Sequence, residues 1–179
     1  MMNNQILPIL LGLTSLVAFT PLHAHVVAEP QHVQAESYQK LAFKVTHGCE
    51  GSPTTAVTIH VPENLHGAKP MPKPGWKISM QIKPLSQPYH AHGRLITEEV
   101  RSITWEGGPL PNEYFDEFVI HAKLSSQPGP VVIPVSQVCQ NGNLQWNETE
   151  SPEKPRDKLE APAPVIHVHP QESREQHQH

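Results

Sequence analysis

Apolar and polar residues alternate with a period of two along most of the chain, after an opening run that does not alternate at all. Residues 6–19 are apolar almost without a break, and the run ends at Leu22-His23-Ala24. It is too short to cross a bilayer and closes on a small residue, which is the pattern of a secretory signal peptide cleaved after Ala24. From there the alternation predicts strands. Ala56 to Val61 sets Val57, Ile59 and Val61 on one face and Thr58 and His60 on the other, and Trp76 to Ile82 repeats the pattern. Further strands are predicted over 41–46, 95–100, 102–105, 114–124, 131–138 and 144–146. Clusters of Gly, Pro and Asn at 48–53, 70–75, 107–112, 128–130 and 141–143 separate nearly all of them. Many short alternating strands between turn signals indicate a β-sandwich or barrel. No helical periodicity and no internal repeat is visible.

Beyond about residue 149 the alternation fades. Residues 150–179 are rich in Pro, Glu, Lys, Gln and His and poor in apolar residues. Such a composition buries too little apolar surface to offset chain ordering, so a disordered tail is expected. The predicted organisation is a signal peptide over 1–24, one folded β domain over 25–149 and the tail over 150–179.

Composition narrows the function. With 20 Pro in 179 residues an all-helical fold is disfavoured. A formal net charge of −4 leaves no basic footprint for nucleic acid. No second apolar run approaches membrane-spanning length, so the chain is not expected to be a transmembrane protein. Two cysteines are present, Cys49 and Cys139. In an exported chain an even pair is most simply a disulfide, and a metal or redox thiol pair is the competing reading. No nucleophile elbow or Ser-His-Asp arrangement points to a hydrolase.

The histidines carry the candidate chemistry. Cleavage after Ala24 makes His25 the first residue, and its free amine and imidazole together can close a six-membered chelate ring on a metal ion. No internal histidine can do that. The tail pairs His167/His169 and His177/His179 are candidate auxiliary sites for loosely held copper or zinc. His90-Ala91-His92 reads either as a weak clip or as a polar loop. On the segment 114–124, alternation puts Phe115, Glu117, Val119 and His121 on one face and Asp116, Phe118 and Ile120 on the other.

These residues resemble a family. His25-Val26, Gly51-Ser52-Pro53-Thr54-Thr55, Val61-Pro62-Glu63, Lys73-Pro74-Gly75-Trp76, Ile103-Thr104-Trp105, Phe115-Asp116-Glu117-Phe118, Gln137-Val138-Cys139 and Leu144-Gln145-Trp146 are similar, in this order, to the YcnI-like exported copper-binding proteins. The resemblance implies a cupredoxin-like or immunoglobulin-like all-β sandwich. It also implies a single Cu(II) site per mature chain, in which the N-terminal His supplies two nitrogens, a strand Glu supplies oxygen and a Trp packs alongside. By position these are His25, Glu117 (with Glu113 as the alternative) and Trp146.

Two nitrogens and a carboxylate form a tetragonal N,O set of the kind Cu(II) favours. A blue-copper electron-transfer site would need a free Cys and two His instead. Four residues of strand span roughly 13 Å, so Glu117 and His121 cannot share one ion from the same strand. The expected function is a periplasmic, non-enzymatic Cu(II)-binding protein for copper storage, trafficking or delivery, with secretion as the alternative location. Expected partners are copper, another periplasmic copper chaperone and a copper-transport membrane protein. A copper monooxygenase and a metal-independent adhesion or binding sandwich are the alternatives. The first of these needs a second His, for which the sequence offers no strong candidate.

Overall fold

Twelve strands cover most of residues 25–171, which the computed structural model describes. In chain order the first six are β1 (Val27–Glu29), β2 (His32–Gln34), β3 (Tyr38–Val45), β4 (Thr54–His60), β5 (Leu65–Pro70) and β6 (Trp76–Ala91). The rest are β7 (Arg94–Leu110), β8 (Asp116–Leu124), β9 (Gly129–Val132), β10 (Val135–Cys139), β11 (Asn143–Trp146) and β12 (Val165–His169). One 3-10 turn at Arg156–Lys158 is the only helical element among the described residues. The signal-peptide expectation for 1–24, and His177 and His179, lie outside the described residues.

The strands form a sandwich. One sheet has the order β1-β3-β8-β5, the facing one β11-β10-β4-β7-β6, and a three-stranded sheet β2-β12-β9 adjoins them. The alternation read from the sequence becomes the two faces. Leu41, Phe43 and Val45 of β3 and Phe118, Ile120, Ala122 and Leu124 of β8 point inward. They meet Val57 and Ile59 of β4, Ile103 and Trp105 of β7, and Val135 and Trp146 of β10 and β11. Trp105 is fully buried and its indole N–H donates to the Met71 carbonyl at 3.2 Å. Burial of such side chains, at ~1.5–3 kcal/mol each, drives the sandwich together.

Two departures from the sequence reading have clear causes. The segment 131–138 is not one strand. Pro134 lacks an N–H for the ladder, so the chain leaves β9 in the small sheet and enters β10 in the large one. Conversely, 76–82 and the two segments over 95–105 grow into the long β6–β7 hairpin, closed by His92 and Gly93 with φ of 50° and 73°. Two consecutive positive φ angles suit the right-handed twist of a hairpin.

The larger correction concerns the tail. Residues 150–171 are not a disordered extension. The chain crosses back after β11, and Glu148 pairs with the returning segment through Glu148 N–H to Ala161 O at 3.1 Å and Ala163 N–H to Glu148 O at 2.9 Å. The Glu148 carboxylate also accepts from the N–H groups of Glu160 and Ala161 at 2.7 and 2.9 Å and from Lys154 Nζ at 2.6 Å. β12 then inserts as the middle strand of the small sheet, parallel to β2 and antiparallel to β9. The five residues Val165–His169 alternate strictly, with Ile166 and Val168 buried in the core. A polar average over thirty residues hides so short an apolar run.

Candidate metal centre

β1 is a short edge strand, and what places it is register. Val27 pairs with Lys44 of β3, and Lys44 pairs with Glu117 of β8. These three residues form one row across neighbouring strands, so the Cα atoms of Val27 and Glu117 are about 9–10 Å apart. His25 enters two residues ahead of that row. Lys44, between them, is held by Glu29 at 3.0 Å. Glu117 is half-buried on the outer face of β8, while Phe118 and Ile120 beside it are in the core. Its outward neighbours are Phe115, 66% exposed, and His121, which stacks on Tyr38 at 5.6 Å. Val119, between them on the same predicted face, is 4% exposed, whereas His121 is a surface residue. Glu113 is exposed and lines a small cavity with Lys44, Thr46, Tyr114 and Phe115. Both candidate carboxylates belong to the end of the sheet at which His25 enters.

Trp146 closes the other side. It is 3% exposed at the end of β11, and the His25 ring meets it edge-on with centroids 6.0 Å apart. Its indole N–H donates to Gln137 Oε1 at 3.0 Å. Gln137 is fully buried, and its amide donates to the His47 carbonyl at 2.7 Å and to Thr54 Oγ1 at 2.8 Å. Every polar atom of that amide is thus engaged, which fixes the indole plane. Trp146 is both a core residue and the wall beside His25.

The same network brings in a residue that sequence reasoning missed. The His47 ring also meets Trp146 at a steep angle, with centroids 5.8 Å apart. Its Nδ1 lies 2.6 Å from the Gly48 carbonyl, so the neutral ring carries its proton there and its lone pair on Nε2. Cys49 and Cys139 form a disulfide that ties this loop to the end of β10. Gly48 leaves no room for a side chain, since a Cβ there would lie 1.8 Å from the Ser52 carbonyl oxygen. His47 sits in a turn cluster with no periodic signal, so only the disulfide and the Gln137 bond reveal its place.

Among the described residues, no three His, Cys, Asp or Glu side chains already converge as a metal cage. In this chain His25 follows Ala24, so its backbone nitrogen is a peptide nitrogen, and an amine ligand exists there only after cleavage. The auxiliary pair His167/His169 lies elsewhere, exposed on β12. His90 is the last-but-one residue of β6 and His92 forms the hairpin turn, and both line a cavity with Glu63, His66 and Glu99. No helix among the described residues is long and apolar enough to cross a membrane.

Comparison with known proteins is informative at this point. The family model described as a domain of unknown function, DUF1775, matches residues 25–168. The copper-binding protein CutI of Bacillus subtilis (strain 168) is 27% identical over 145 residues, which cover 79% of this chain and 64% of that protein. The chain therefore spans less than two thirds of that relative's length. A crystal structure of an uncharacterized protein from Nocardia farcinica, described as having an immunoglobulin-like fold, superposes with a TM-score of 0.62 at 25% identity. The match covers 80% of this chain and 97% of that one. The immunoglobulin-like sandwich expected from the sequence is thereby established, and the family match ends at the last strand rather than at residue 149.

Proposed function

The chain belongs to the DUF1775 family, the YcnI-like group that its sequence resembles, and from that premise we propose that it binds Cu(II) outside the cytoplasm and stores it or hands it on. The observation that carries this reading is the His25 ring held against the edge of the buried Trp146, two residues ahead of the row that contains Glu117. After cleavage behind Ala24, the His25 amine and imidazole supply two nitrogens and Glu117 an oxygen. Glu113 is the alternative acid. The donor set fits the ion: two nitrogens and a carboxylate suit tetragonal Cu(II), which heads the divalent affinity order. One ion at this site follows from there being one N-terminal chelate per mature chain.

Trp146 limits water on one side and keeps the imidazole from swinging away, an outer-sphere role. The disulfide is consistent with an oxidising compartment, and the periplasm is the one we favour. Copper transfer, rather than turnover, fits the single N-terminal chelate, and another exported copper chaperone or a copper transporter would be the exchange partner.

A direct test compares the processed protein with a version carrying one extra Ala before His25. We expect the processed form to bind one Cu(II) tightly, with two nitrogen ligands in its electron paramagnetic resonance spectrum, and the extended form to lose that signal. Equal spectra would reject the N-terminal chelate. Glu117→Gln should lower the affinity and leave the stoichiometry unchanged, and Glu113→Gln should alter neither.

His47 favours one second reading. A copper monooxygenase needs a second imidazole, and His47 packs on the same indole as His25. That reading requires a third nitrogen in the copper spectrum, lost in His47→Ala, together with oxygen consumption driven by a reductant.

A further inference from the structure

β12 brings histidines from the two ends of the domain together. His32 of β2 pairs in parallel register with His167 of β12. His167 and His169 stand on the same outer face of β12, because Ile166 and Val168 between and beside them face the core. The His32 ring stacks on both of the others, with its centroid 5.3 Å from that of His167 and 5.2 Å from that of His169. His32 Nδ1 and His169 Nε2 are 3.0 Å apart. All three rings are exposed.

We propose that His32, His167 and His169 form a second metal site, separate from the N-terminal one, that takes a borderline divalent transition ion, Cu(II) before Zn(II). Geometry is the main reason. Two nitrogens each about 2.0–2.1 Å from an ion and at right angles to one another are about 2.9 Å apart. The His32–His169 pair already has that spacing. In the metal-free arrangement a proton fills the gap, donated by one ring nitrogen to the lone pair of the other. An ion takes its place when the donor ring shifts that proton to its outward nitrogen, so both rings stay neutral. His167 joins by rotation of an exposed side chain, a motion of picoseconds to nanoseconds. The backbones need not move, because β12 is hydrogen-bonded on both sides and buried Val33 and Val168 anchor its pairing with β2.

The ligand type decides the ion. Three imidazoles without a carboxylate or thiolate suit Cu(II), Ni(II) and Zn(II), and offer nothing to Ca(II) or Mg(II). The bound ion would clip the N-terminal strand β2 to the C-terminal strand β12, so binding should raise thermal stability.

The test uses the mature chain with one extra Ala before His25, which silences the N-terminal chelate. CuSO4 is titrated against a chromophoric chelator, and melting is followed with and without the metal. We expect one equivalent to remain and the melting temperature to rise. His32→Gln and the double variant His167→Ala/His169→Ala should lose the equivalent and the rise, with metal-free melting unchanged. His177→Ala/His179→Ala should keep both. Retention in His32→Gln, loss in His177→Ala/His179→Ala, or no equivalent in the Ala-extended parent would each overturn the proposal. Because the parent already lacks the N-terminal chelate, this site and the one proposed above stand or fall separately.

Discussion

The two histidine groups of this domain are held in opposite ways. His25 and His47 are separate in sequence and meet at a buried indole, whose angle is fixed by Gln137 and whose loop is fixed by a disulfide. His32, His167 and His169 touch one another directly on an exposed strand face, and what fixes them is the backbone register beneath. The first group depends on packing and covalent closure. The second depends on one short strand staying docked. The comparison teaches that a site can be rigid through its surroundings or through the ladder it stands on, and that different changes should break each.

The largest effect should come from the disulfide. Replacing both Cys49 and Cys139 by Ala removes a bridge with a sequence separation of 90 residues. The chain-entropy account of so long a loop gives about 4–5 kcal/mol, to be read from urea denaturation. The same variant should weaken copper spectra that depend on His47 or Trp146 and leave metal binding at His32 intact wherever the protein remains folded. A loss under 1 kcal/mol would show that packing alone positions the 47–53 loop.

Next in size is Ile166→Ala. This side chain is fully buried on β12, so its truncation should cost about 2–5 kcal/mol. It should also abolish metal binding at His32 while sparing the site at His25. A cost near zero would mean that β12 contributes nothing to the fold.

The smallest effect is acid-dependent. Hydrogen bonds from Lys154, and then from the Ala161 and Glu160 amides, hold the Glu148 carboxyl below its usual range. A carboxyl depressed in the folded state contributes stability above its unfolded pKa and loses it as pH falls through the folded value. Acidification below about pH 4.5 should therefore speed hydrogen exchange at Ile166 and Val168 before it does so at Ile59 or Ile103. Glu148→Gln should reproduce the faster exchange at neutral pH. Uniform exchange across both sheets would show that the returning segment and the sandwich open as one unit.

Much of this was legible from the chain. Alternation at Ala56 to Val61 and over 114–124 found β4 and β8 and sorted their faces, because strands half-exposed to water must alternate. The proposal for His25, Glu117 and Trp146 rests on the family resemblance, since periodicity alone reads Glu117 as a surface acid. β1, β2, β5 and β12 were not found. Strands of three to six residues hold too few positions to establish a period, and their stability comes from partners far away in sequence. His47 and His32 were missed for the same reason. Each acquires meaning only when a distant residue, Trp146 in one case and His167 in the other, arrives beside it.

The pairing of β2 with β12 also has a consequence in time. Among the described strands β2 has no other sheet neighbour. A chain made from its N-terminus presents residues 32–34 long before residues 165–169 exist. The rest of the sandwich can collapse while that edge still waits, open to any other strand that reaches it first. Pairing across so long a stretch of chain is slow by nature. Residues 165–169 thus finish the fold late, and truncation just before β12 should leave a domain that looks nearly whole and associates through its unfinished edge.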